Sequence, residues 1–203
     1  MAVDVGHHAA EPGVISARGR TEFEYNRALA LEIKAELERA GQRVQLIGER
    51  GDYAVLHHRT GDARGADLFL SVHHDSVKER LLPQAEKFSG FSLFVSRLNA
   101  KVKKSLACAS DIGAMLRAAG FMPSRYHADP ELGEARPFAD EANGVHYYDS
   151  LAVGRAAAMA SVLLEAGVIV NRDEEARMGN PEVRRRIAAA VAAGVGACLA
   201  REI

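Results

Sequence analysis

The run Leu68-Phe-Leu-Ser-Val72 is the feature that most constrains how this chain can fold. It is short and apolar, has aromatic and β-branched members, and is bounded by Gly65 before it and the polar group His73-His-Asp-Ser76 after it. That pattern predicts a buried central strand. If strand geometry persists past Val72, His73 and His74 point to opposite faces. At most one of them then lines the crevice at the strand's carboxyl end, which is where open α/β sheets bind ligands.

The flanking segments alternate in the same style. Val3-Asp-Val-Gly-His7 predicts a first strand, and a polar loop with Gly and Pro follows from His8 to about Thr21, long enough to be functional. From Glu22 the chain turns helical, with Leu29, Ile33 and Leu37 on the buried face and Glu32, Glu36 and Arg39 on the wet one, until Gly41. Arg43 to Ile47 alternates as a second strand, and the resulting βαβ unit should cross over right-handed with parallel strands. A shorter helix over residues 53–64 leads into the central strand. Residues 75–90 are charged and irregular, Phe91 to Val95 is a strand, and Asn99 to Ala119 is an amphipathic helix closed by Gly120. Residues 123–146 have no clear period and predict a long loop beside the active site. Ser161-Val-Leu-Leu-Glu165 predicts a buried strand ending in a carboxylate, and a last helix starts at Pro181. The expected fold class is α/β, a twisted, mostly parallel sheet with helices on both faces.

With 203 residues and 48% hydrophobic content, one substantial core and a single domain are expected. Basic and acidic residues balance at 26 against 27, which gives no pull toward nucleic acid or an anionic membrane. No apolar run reaches the roughly 20 residues that would insert in a bilayer, and no export signal is visible at the start. Cys108 and Cys198 both fall in helical patterns, and the expectation is two buried, inert thiols without a disulfide.

Three predicted strands end in residues that ligate metals or move protons, His7, His73 and Glu165, and Glu22 adds a fourth at the first turn of a helix. Two imidazoles and one carboxylate suit zinc, whose catalytic sites keep a fourth position for water. The remaining carboxylate would then be the base. Zinc lowers the pKa of bound water from about 15.7 to about 7, which at roughly 1.36 kcal/mol per unit makes hydroxide about 12 kcal/mol cheaper at neutral pH. Each residue also has a bland explanation: Glu22 as a dipole-favoured acid, the histidines as packed or hydrogen-bonded side chains. A carboxylate in a buried strand, however, needs a partner. His57 and His58 on the short helix receive no role, and His127 and His146 are expected at the surface of the long loop. No Gly-rich phosphate loop or Gly-x-Ser-x-Gly turn is present, so nucleotide and serine-hydrolase readings fall.

At these residues the sequence resembles the zinc-dependent N-acetylmuramoyl-L-alanine amidases of the amidase-3 type, which are cell-wall hydrolases. Val3-Asp-Val-Gly-His7 is similar to the family's first strand and ligand histidine, and Gly19-Arg-Thr-Glu22 with Asn26 to its Gly-x-x-Glu and downstream Asn. Ala66 to His73 is the best match, and Leu163-Leu-Glu165-Ala-Gly167 resembles the segment with the catalytic glutamate. The resemblance implies a zinc-exopeptidase-like fold, one amidase catalytic domain over residues 1–203, and one Zn2+ per chain held by His7, Glu22 and His73, with Glu165 as general base. It implies cleavage of the amide between N-acetylmuramic acid and the L-alanine of the stem peptide. Peptidoglycan is then the partner, an activator protein is a further candidate, and the location is the periplasm or cell surface. Val5 stands where the family commonly has Pro, His8 where it has Gly, and His74 where it has a small residue, so His8 and His74 remain open as ligands. The competing readings are a zinc exopeptidase acting on free peptides and a non-catalytic peptidoglycan-binding module.

Overall fold

The run around Leu70 forms β3 (Leu68–Asp75), in which Leu68, Phe69, Leu70 and Val72 are fully buried. The computed structural model describes residues 1–201. The other strands are β1 (Ala2–Val5), β2 (Gln45–Ile47), β4 (Ser92–Val95), β5 (Phe138–Asp140), β6 (Val145–Tyr147) and β7 (Ala160–Val168). They make one seven-stranded sheet in the order β2-β1-β3-β7-β4-β6-β5. Neighbours are parallel except β4 with β7 and β5 with β6, so the mostly parallel α/β class holds.

Among the described residues six helices cover the sheet: α1 (Glu22–Arg39), α2 (Leu56–Asp62), α3 (Val102–Ala118), α4 (Ala152–Ala156), α5 (Arg172–Gly179) and α6 (Pro181–Leu199). Alternate residues of the central strands, among them Val3, Leu70, Val72, Leu93, Val162 and Leu164, pack with α1, α3 and α6 into the larger core. Full burial of each such side chain contributes roughly 1.5–3 kcal/mol. The opposite face carries α2 and α4 over a smaller cluster that includes Ala2, Ile47, Phe69 and Val153. This thinner cover leaves room for a cleft where the strands end.

α1 begins where it does because Thr21 and Glu24 form a capping box, each accepting a backbone hydrogen bond from the other. Glu22 therefore sits in the first turn. The preceding loop is stapled in place: Ser16 Oγ donates to the buried Glu175 of α5 at 2.7 Å, Tyr25 Oη donates to the same oxygen at 3.0 Å, and Ala17 N donates to Ile169 O at 2.9 Å.

Several expectations are corrected. Cys108 of α3 and Cys198 of α6 form a disulfide rather than two free thiols. Residues 90 apart name no partner in sequence, but the helices approach so closely that a Cβ at Gly194 would collide with the Ile112 backbone. Residues 123–146 hold a short 3-10 turn, β5 and the start of β6, elements of three residues that are too short to show a period. α5 was not foreseen because its segment is mostly charged; Asn171 starts it by accepting from Asp173 N and Glu174 N. No helix among the described residues is long and apolar enough to cross a membrane.

Candidate metal centre

The carboxyl ends of β1 and β3 meet the first turn of α1. His7 follows β1 with a φ of 66°, a left-handed conformation uncommon for a side-chain-bearing residue. The fully buried Arg59 of α2 holds this turn by donating to Val5 O at 2.6 Å and to His7 O, while its guanidinium pairs with Asp4 at 2.7 Å. Asp4 in turn accepts from Ser71 Oγ at 2.7 Å. So placed, His7 Nε2 lies 3.0 Å from Glu22 Oε2, and His73 Nδ1 lies 3.0 Å from Glu22 Oε1. One ligand atom from each of the three residues falls within 4.8 Å of the others. Close packing depends on two glycines, since a Cβ at Gly6 would enter the His73 ring and one at Gly13 would strike Glu22 and His7.

Asn26, one turn further along α1, locks the carboxylate. Its Nδ2 donates to Glu22 Oε1 at 3.1 Å and to Gly6 O at 3.2 Å, and its Oδ1 lies 2.9 Å from His74 Nδ1. His73 and His74 do point apart as the strand pattern requires: His73 faces the cleft, and His74 packs against Tyr25 with its ring centroid 5.6 Å away. Burial pushes the His74 imidazole down to about 3, which keeps it neutral, with its proton on the nitrogen facing Asn26. His74 thus supports the cluster from behind. His8 also lies outside it, 3.7 Å from Glu11.

Burial alone would raise the Glu22 carboxyl, but hydrogen bonds from His7 and His73 hold it well below the usual carboxylate range. Burial likewise disfavours a charged His7, and the Glu22 hydrogen bond overrides it and raises that imidazole. Two imidazole nitrogens converging on one carboxylate held in its ionised form make a donor set that fits zinc.

Glu165 stands on β7 directly opposite His73 in the strand register, so the two side chains share a face of the sheet. Its Oε2 is shielded from solvent and has no hydrogen-bond partner among the described residues. Burial, reinforced by the charges of Asp75 and Glu22, pushes this carboxyl well above its ordinary value. A carboxyl tuned upward holds a proton more readily than an ordinary one, as a group that takes and returns a proton must. Next to it is a cleft of about 390 Å³ lined by His7, His73, Leu56, Val153 and Leu163.

The four residues singled out in sequence therefore gather at one place. His57 and His58 stay exposed on α2 and meet edge to face, with ring centroids 4.5 Å apart. His127 and His146 do not lie at the surface; both are buried. His127 bridges two acids, with Nε2 at 2.6 Å from Asp75 and Nδ1 at 2.9 Å from Glu134. Burial works against its charge, yet those two hydrogen bonds raise it. Burial brings His146 down to about 4. Arg59 had no signal in the sequence, because only the tertiary fold carries α2 to the turn at His7.

A family model described as N-acetylmuramoyl-L-alanine amidase matches residues 1–197. This chain belongs to the N-acetylmuramoyl-L-alanine amidase family. The amidase AmiC of Neisseria meningitidis serogroup B is 28% identical over 221 residues, which cover 95% of this chain and 51% of that protein. The chain thus spans about half the length of that relative. Among solved structures, the apo form of the amidase Ami1 from Mycobacterium abscessus superposes with a TM-score of 0.80 at 21% identity, covering 98% of this chain and 97% of that one. The CwlD amidase from Clostridioides difficile, in complex with the GerS lipoprotein, gives 0.74 at 18% identity over 98% and 96% of the two chains. At these identities the likeness shows the amidase-family fold.

Proposed function

We propose that this chain is the catalytic domain of a zinc-dependent peptidoglycan hydrolase that cleaves the amide between the lactyl carbonyl of N-acetylmuramic acid and the L-alanine of the stem peptide. The observation that carries this reading is the convergence of His7, Glu22 and His73 beside Glu165, in a chain matched by the amidase family over residues 1–197. One Zn2+ per chain would be held by those three residues, which form a single three-donor cluster among the described residues. When bound, zinc would supply Lewis-acid polarisation of the carbonyl and make water nucleophilic at neutral pH.

The remaining chemistry belongs to the protein. Glu165 takes the proton from the attacking water and returns it to the departing alanine nitrogen, so one carboxyl serves as base and then acid. Its raised affinity for protons suits both halves of that cycle. Asn26 keeps Glu22 oriented, and Arg59 keeps the His7 turn closed. The cleft along Leu56, Val153 and Leu163 receives the substrate.

A cell-wall substrate places the enzyme outside the cytoplasmic membrane, in the periplasm or on the cell surface. The Cys108–Cys198 disulfide supports that location, because disulfides persist in oxidising compartments. An activator protein is a reasonable partner, given that the solved CwlD structure is a complex with GerS.

The test is mass spectrometry of the products after incubation with peptidoglycan, with and without a zinc chelator. Intact stem peptides with a free L-alanine amine, lost on chelation, are expected. Products cut at another bond, or release that survives chelation, would refute the reading.

A further inference from the structure

Beside the proposed base stands a cation for which the steps above have no use. Arg136 is fixed through its backbone: its N–H donates to His127 O at 2.8 Å, and its carbonyl lies 3.2 Å from His146 Nδ1. The guanidinium carbon lies 3.7 Å from the centroid of the Tyr148 ring and 5.0 Å from that of Phe94. Phe94 pairs with Leu163, two residues before Glu165 and on the same face of the sheet. The Arg136 charge also works against the upward shift of Glu165, so the guanidinium lies within electrostatic reach of that carboxyl.

Among the described residues this guanidinium donates no hydrogen bond. Its nearest acid is Glu134, whose Oε2 is 3.6 Å from Nε, beyond hydrogen-bond length, and that same oxygen is already 2.9 Å from His127 Nδ1. The side chain is 18% exposed, so it is partly open to solvent. The backbone just before it is strained: Ala135 has a φ of 54°, and among the described residues the other non-glycine in this region is His7. Such conformations persist only where the surroundings over-determine them. Here the strain lets Glu134 meet His127 while Arg136 meets Tyr148.

A planar fork stacked on an aromatic ring is preorganised for bidentate binding of a carboxylate. We propose that Arg136 binds the free carboxylate of the stem peptide nearest the scissile amide, the α-carboxylate of its second residue. This proposal rests on the amidase reading. Proximity to Glu165 selects that carboxylate over those at the far end of the stem.

The experiment compares two muramoyl tripeptides, one with γ-linked D-glutamate at the second position and one with D-isoglutamine, which differ only by carboxylate against amide. The zinc-loaded wild-type protein should favour the carboxylate form by about 10–100-fold in kcat/KM, the scale of one charge-assisted bidentate contact, with the difference carried by KM. Arg136→Met should bring that ratio close to one, and Arg136→Lys, which keeps the charge without the fork, should leave an intermediate value. Should the methionine variant fail to fold, the lysine variant decides, because the ratio must still fall. A wild-type ratio near one, or a ratio preserved in the variants, overturns the role of Arg136 while leaving the amidase reading intact. If the wild type cleaves neither peptide, the amidase reading falls and takes this proposal with it.

Discussion

Glu165→Gln should make the metal-free protein more stable while removing its turnover. Among the described residues the Glu165 Oε2 has no hydrogen-bond partner, and the charges of Asp75 and Glu22 bear on the same carboxyl. Glutamine keeps the shape and is no better partnered but cannot ionise, so its gain is the ionisation penalty alone, which accrues at roughly 1.36 kcal/mol per pH unit above the unfolded value near 4.5 and reaches no more than about 3.4 kcal/mol at pH 7, up to roughly 7–14 °C in Tm for a chain of this size. The pH dependence has a definite sign. A carboxyl raised in the folded state weighs nothing against folding below its unfolded value near 4.5, and its penalty grows as pH climbs toward the raised folded value. The stability gap between variant and wild type should therefore be absent at low pH and widen upward from about pH 4.5. Thermal melts of both proteins in chelator, from pH 4 to pH 8, measure it, and the histidine cluster common to both cancels in the difference. With zinc restored, turnover should fall by about 10²–10⁴-fold at unchanged zinc content, because Glu165 is not among the three converging donors. A gap that fails to widen with pH would refute the raised carboxyl, and retained turnover would refute its role as base.

Asn26→Ala should weaken zinc affinity by about 10–100-fold, since it frees the Glu22 carboxylate and strands the Nδ1 proton of His74; titration against a chelating dye checks this, and unchanged affinity would show that Asn26 does not orient the ligand. The double variant Cys108→Ser, Cys198→Ser should lose about 2–5 kcal/mol, as expected for a bridge that closes a loop across a separation of 90 residues. Urea unfolding gives the size of the loss, and two titratable thiols in the unreduced wild type would contradict the bridge.

Much of the site was legible because its donors occupy places that local pattern marks. His7 and His73 follow apolar runs, Glu22 opens a periodic helix behind Thr21, and Glu165 ends three apolar residues of a strand. The sheet class was legible for the same reason, strand and helix periods being local properties. His127 was misread because the segment around it shows no period. Its burial depends on Asp75 and Glu134, and one of those lies 52 residues away. The disulfide was hidden because only the packing of α3 on α6 brings its ends together.

The sequence by itself determined the strands and helices with a clear local period, β1, α1, β2, α2, β3, β4, α3, β7 and α6, along with the residues that could carry metal and proton chemistry and the family to which they point. Tertiary structure alone decided which of His73 and His74 faces the cleft, that Asn26 and Arg59 hold the cluster, that Cys108 meets Cys198, and that Arg136 comes to stand by Glu165. The division has one physical cause. Periodicity and capping act over a few residues and leave their mark in local order, whereas burial, charge pairing and close helix packing act between residues that only the folded chain makes neighbours.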